Sequence, residues 1–123
     1  MSSSNGSPKP TEIKVKKDEK VLVVTFDNGK TFTLPAELLR VESPSAEVQG
    51  HSPAEKKVVS GRRHVGIMGV DMVGNYAVKI KFDDLHDSGI YSWELLYDFG
   101  ERQEEIWNQY LADLEAKGLS REP

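Results

Sequence analysis

Apolar residues recur at every second position over three early stretches of the chain. Ile13 and Val15 alternate with Lys14 and Lys16, Leu22, Val24 and Phe26 follow the same period, and Phe32 and Leu34 continue it. That spacing puts the apolar side chains on one face of a strand. The links Lys17-Asp18-Glu19-Lys20 and Asp27-Asn28-Gly29-Lys30 suit hairpins, the second as a type I′ turn because Asn-Gly tolerates positive φ. An antiparallel meander is expected, followed at Pro35 by one or two helical turns through Ala36 to Arg40. Strand character returns from His64 to Val73. Gly74-Asn75 makes a turn, and Tyr76, Val78, Ile80 and Phe82 alternate with Ala77, Lys79 and Lys81.

Farther on, Ile90-Tyr91 predicts a short strand, and Ser92 predicts the N-cap of a helix over Trp93 to Phe99 that Gly100 ends or kinks. From Glu101 to Lys117 the residues Ile106, Trp107, Tyr110, Leu111 and Leu114 lie three or four apart, forming one helical stripe. That helix is expected to cover the Tyr76, Val78, Ile80 and Phe82 face through Ile106, Tyr110 and Leu114. The expected fold class is α+β: a mostly antiparallel sheet, built as a hairpin meander plus a second hairpin over residues 12 to 34 and 64 to 82, covered by a C-terminal α-helix. Between Val41 and Arg63 the periodicity dissolves into a long loop, which at that length is expected to be functional or mobile. Residues 1–9 are expected to be a disordered tail and residues 10–119 a single domain.

Composition narrows the chemistry. Charged residues make up 29% and hydrophobic residues 37% of the 123, the balance of an ordinary globular protein. No apolar run approaches a bilayer span and no signal or transit pattern opens the chain, so the expectation is a cytoplasmic protein with no membrane contact. The absence of cysteine excludes disulfides, thiolate nucleophiles and cysteine-held zinc or iron–sulfur clusters. A net charge of −4 argues against general nucleic-acid binding, which needs a basic face. Neither a phosphate-binding glycine loop nor a paired-histidine metal motif occurs, and no cofactor is expected.

Three groups of residues remain as candidates. His86 lies among Asp83, Asp84 and Asp87, an oxygen-and-nitrogen set that could take a divalent ion, although such residues more often cap turns. Lys56, Lys57, Arg62 and Arg63 form a basic stretch that could meet an acidic partner or remain solvated. Tyr91 and Trp93, with the aromatics that follow, could form a recognition surface or simply fill the core. No strand-turn-helix motif presents a nucleophilic serine, so no catalytic triad is assigned.

The stretches Leu39-Arg40-Val41-Glu42-Ser43-Pro44-Ser45-Ala46-Glu47-Val48, Gly74-Asn75-Tyr76-Ala77-Val78, and His86-Asp87-Ser88-Gly89-Ile90-Tyr91-Ser92-Trp93 resemble the gamma-butyrobetaine hydroxylase-like N-terminal domain family. The resemblance spans Thr11 to about Leu114. In the hydroxylases this domain precedes a separate iron- and 2-oxoglutarate-dependent catalytic domain and holds zinc through C-x-C-x-x-C and a later histidine. The resemblance places those ligand positions on Ser43, Ser45, Val48 and His86, so only the histidine is retained. Related domains are appended to P-loop ATPases of iron–sulfur cluster assembly. The chain is therefore expected to be no enzyme by itself but an accessory or interaction module for a protein partner, with a link to metal or iron–sulfur metabolism. The alternatives are a metal-binding accessory domain with a degenerate zinc site around His86, and a subunit that completes an enzyme active site in a complex.

Overall fold

Six strands form two antiparallel three-stranded sheets in the computed structural model, which describes residues 8–50, 54 and 56–123. The first sheet has the order β1 (Pro10–Lys16), β2 (Val21–Phe26), β3 (Thr31–Pro35). Its register sets Ile13 opposite Val24 and Leu22 opposite Leu34, which places the apolar set on one face. The second sheet has the order β4 (Ile67–Val73), β5 (Ala77–Phe82), β6 (Ile90–Ser92), with Val70 opposite Ile80 and Val78 opposite Tyr91. The fold class is α+β as expected, but the pairing is divided between two sheets instead of running through one. Residues 1–7 of the expected tail lie outside the described residues, whereas Lys9 is tied to Asp27, accepting from its N–H at 2.8 Å.

The β2–β3 turn departs from the type I′ expectation. Only Gly29 has positive φ, at 89°, and Phe26 N–H donates to the Lys30 carbonyl at 2.8 Å around a three-residue loop. This is a type I turn closed by a left-handed glycine, which needs one residue of positive φ instead of two.

Four helices complete the fold: α1 (Ala36–Val41), α2 (Ala46–Gln49), α3 (Trp93–Glu101) and α4 (Gln103–Ala116). Ser92 caps α3 as expected, its hydroxyl accepting from Leu95 N–H at 3.1 Å. Gly100 stays helical, with the Phe32 ring pressed against its open side, and the break falls at Arg102.

The covering helix is not the expected one. Trp93, Leu96 and Phe99 of α3 join Leu22, Val24, Phe26, Leu34, Val78, Ile80 and Phe82 in the main core. From α4 only Ile106 reaches that core. Tyr110 and Leu114 instead pack with Val41 in a smaller cluster flanked by Val58, Val59 and Trp107. Tyr76 falls in the turn before β5 and is 55% exposed, so it leaves the face assigned to it. The stretch expected to be one long loop contains the end of α1 and all of α2, and its second half meets the last residues of the chain. Gly61 N–H donates to the Ser120 carbonyl at 2.9 Å and Arg63 N–H to the Arg121 carbonyl at 3.0 Å. No helix of the described residues is long and apolar enough to cross a membrane.

Candidate functional site

The end of α1, the start of α2 and the turn between β5 and β6 meet at one buried corner. Phe82 N–H donates to the His86 carbonyl, closing the turn, and Leu85 at φ 72° swings the chain so that His86 points inward. A leucine in the left-handed region is strained, and its side chain is left 83% exposed while the neighbouring His86 is only 8% exposed. The imidazole Nε2 lies 3.0 Å from Ser43 Oγ and 3.4 Å from Ser45 Oγ, and Ser43 Oγ donates to Ser45 Oγ at 3.2 Å. Three of the positions that the resemblance selected therefore converge. Val48, the fourth, is buried a helical turn beyond Ser45 and brings only methyl groups.

The corner is packed on every side. Gln49 Nε2 donates to the Ser43 carbonyl at 2.8 Å, and the Tyr91 hydroxyl donates to the Leu39 carbonyl at 2.6 Å. Gly89 leaves no space for a side chain, since a Cβ there would sit 2.5 Å from Ser43 Oγ. Burial pushes the Tyr91 phenol well above its ordinary range, so it stays a neutral donor. Burial, reinforced by the Arg40 charge, holds the His86 imidazole below its usual value against the opposing pull of Glu47, Asp84 and Asp87. The ring is therefore neutral near pH 7, with Nε2 occupied by the serines in either tautomer.

Asp84 is engaged by two arginines and a backbone N–H. Its Oδ2 accepts from Arg40 Nε at 2.8 Å and from Arg62 Nε at 2.7 Å, and its Oδ1 accepts from His86 N–H at 3.1 Å. Burial alone would raise its pKa, but the bonds from Arg40 and His86 and the two guanidinium charges outweigh this and hold it below 3.8. One carboxylate thus ties α1, the 56–63 segment and the β5–β6 turn together. Among the described residues no three His, Asp or Glu side chains are placed to share an ion, those of Asp83, Asp84, His86 and Asp87 included. Glu47 is exposed, bonded by Ser88 Oγ at 2.6 Å, and 3.9 Å from His86 Nδ1. Ser43–His86–Glu47 has the order of a nucleophile, base and orienting acid, yet Ser43 is 0% exposed and no substrate can reach it.

The expected interaction surface is largely dispersed. Tyr91 is 0% exposed, and Trp93 is buried with its indole N–H donating to the Asn75 carbonyl at 2.8 Å, so both belong to the core. The basic stretch is mostly neutralised: Lys56 pairs with Glu42 at 2.7 Å, Arg62 with Asp84, and Arg63 with Glu122, leaving Lys57 exposed.

A second feature had no signal in the sequence. Glu37 on α1 is 6% exposed, and Arg121 grips both its oxygens, Nε to Oε2 at 2.9 Å and Nη2 to Oε1 at 2.7 Å. The same guanidinium lies 5.1 Å from the centroid of the Trp107 ring. These residues line a groove of about 650 Å³ between α1 and the α3–α4 junction. An isolated Arg in a short polar segment carries no periodicity from which this pairing could be read.

The sequence profile described as gamma-butyrobetaine hydroxylase-like, N-terminal, matches residues 13–97. Two structures determined in solution by NMR are similar over nearly the whole length. One is 43% identical with a TM-score of 0.84, covering 96% of this chain and 93% of that one. The other is 49% identical with a TM-score of 0.83, covering 100% and 92%. A crystal structure of a protein of unknown function from Acidithiobacillus ferrooxidans, belonging to the DUF971 family, is 36% identical with a TM-score of 0.60 over 77% of this chain and 93% of that one. No curated protein matches.

Proposed function

The chain belongs to the gamma-butyrobetaine hydroxylase-like N-terminal family, and we propose that it serves as a non-catalytic protein-docking module in which hydrogen bonds close the family's metal corner. The observation that carries this reading is the buried Ser43, Ser45 and His86 cluster. The donors do not fit the zinc that the resemblance implies. Structural zinc takes four donors and draws much of its affinity from thiolates. Here two neutral hydroxyls already hold the imidazole nitrogen, and Val48 offers no donor. The neutral hydroxyls replace thiolates in one geometric role, cross-linking α1–α2 to the β5–β6 turn, without needing an ion.

A buried polar network of this kind rigidifies a scaffold when its members are satisfied. What such a scaffold offers outward is shape and charge, with its aromatic residues Tyr91 and Trp93 committed to packing. The rival site at Asp83, Asp84, His86 and Asp87 is weakened because Asp84 is engaged by two arginines and His86 faces the serines.

Affinity capture from native extract, followed by reconstitution from purified components, tests the docking role. The expected result is one protein recovered at a fixed stoichiometry and rebound in purified form. Capture that never survives reconstitution, together with turnover of a small molecule by the purified chain, would overturn it.

A further inference from the structure

We propose, resting on the docking reading above, that the groove between α1 and the α3–α4 junction receives an arginine-bearing, basic segment of the protein partner, and that Arg121 is the internal stand-in for that arginine. The groove has a floor and wall that select a guanidinium. Glu37 presents both carboxylate oxygens to one planar fork, and the Trp107 ring lies beside it. A bidentate acid next to an aromatic face favours arginine over lysine, whose ammonium is a compact charge that cannot match the fork.

Burying a carboxylate is costly, and a buried ion pair is often no more stable than apolar residues of the same volume. Stability alone therefore does not explain why Glu37 stands at 6% exposure on α1. The rim points to the charge of the occupant. Glu37, Glu101 and Glu104 line the groove against the single cation Arg121. Lys30 holds Glu101 at 2.7 Å from outside, while Glu104 has no ion-pair partner among the described residues. Pro35 and Trp107 add half-buried apolar surface on which the stem of a second arginine or an apolar neighbour can lie.

The internal occupant is only partly enclosed. Beyond the Glu37 fork and the Trp107 contact, the strand of chain around Arg121 is bound to the 60–63 segment by two backbone hydrogen bonds and the exposed Arg63–Glu122 pair. The Arg121 side chain is itself 35% exposed. An incoming guanidinium can take over the Glu37 fork and the Trp107 contact, and the Arg121 side chain then swings out to water.

The test uses the full chain and N-acetyl-arginine amide as probe, with the indole N–H resonance of Trp107 as readout and that of buried Trp93 as internal control. In Arg121→Ala the probe should give a saturable Trp107 shift. Wild type should bind about tenfold more weakly, because its groove is mostly occupied by its own arginine. N-acetyl-lysine amide should not reproduce the shift, and Glu37→Gln combined with Arg121→Ala should abolish it. Should Arg121→Ala not fold, Arg121→Lys, which keeps the charge but loses the fork, takes its place with the same expected order. Equal shifts with the arginine and lysine probes, or a shift that survives Glu37→Gln, would overturn the proposal. If purified partner still binds while the arginine probe does not, the groove assignment fails and the docking reading stands. If the probe binds specifically but no partner can be reconstituted, the groove stands and the docking reading fails.

Discussion

A buried imidazole beside a guanidinium resists protonation, and that is the situation of His86. Its folded value lies below the ordinary 6.5, chiefly through burial and then through Arg40. The unfolded chain therefore takes up a proton near 6.5 that the folded ring refuses, so this contribution is complete above 6.5 and is lost as pH falls through the folded value. Asp84 has the same sign lower on the scale. Its folded value is depressed, so its contribution holds above 3.8 and is lost as pH falls through the folded value. The denaturation midpoint should be flat from 6.5 up to the onset of tyrosine ionisation at about 9–10 and decline below 6.5, with a further decline below 3.8 as Asp84 takes up its proton. His86→Gln should flatten the first decline and leave the second; a first decline unchanged in that variant would assign it to another group. Gly89 gives a second residue-scale prediction. Because a Cβ there would meet Ser43 Oγ at 2.5 Å, Gly89→Ala should cost about 1–3 kcal/mol. In a Ser43→Ala background the cost should shrink, as measured by a double-mutant cycle. Ser43, Ser45 and His86 were selected together only through resemblance, since partners 41 and 43 residues apart share no local pattern. The bridging of Asp84 to Arg40 and Arg62 was hidden because the sequence could not say which of three neighbouring aspartates would turn inward.

At the scale of the elements, α3 rather than α4 carries the cover of the main core. Leu96 is 0% exposed within that core, so Leu96→Ala should cost about 2–5 kcal/mol in chemical denaturation. Leu111 of α4 is 38% exposed, and Leu111→Ala should stay within about 0.5 kcal/mol. The reverse order would restore α4 as the cover. The strands were legible because a period of two is strong at Leu22, Val24, Phe26 and at Val78, Ile80, Phe82, all buried. The stripe on α4 was legible too, but an apolar stripe says only that a face is covered, not what covers it. Tyr110 and Leu114 found Val41, in a segment whose sequence read as loop. The Asn-Gly turn was placed correctly and its type was not, because the same dipeptide also suits a three-residue loop with one left-handed glycine.

At the scale of the molecule, the polar ties between segments distant in sequence include the corner at His86 and the fork of Arg121 on Glu37, 84 residues apart. Residues 120–123 were left outside the expected domain because a short polar run shows no burial pattern; their role appears only once Glu37 is seen buried. Arg121→Ala leaves that carboxylate without its partner. The loss should be about 2 kcal/mol, less than the 3–5 kcal/mol of a fully buried pair because the Arg121 side chain is 35% exposed and part of the interaction is screened. A thermal midpoint equal to that of wild type would show Glu37 to be satisfied by water instead. The His86 corner is the tie on which the reading of the whole molecule turns, since it stands where the family's metal ligands would be. Titrating the full chain with zinc, iron(II) and manganese while following the His86 ring nitrogens tests it most directly. The predicted result is a neutral imidazole near pH 7 whose resonances do not move at stoichiometric metal, whereas a saturable shift confined to residues 83–89 and lost in His86→Ala would contradict it.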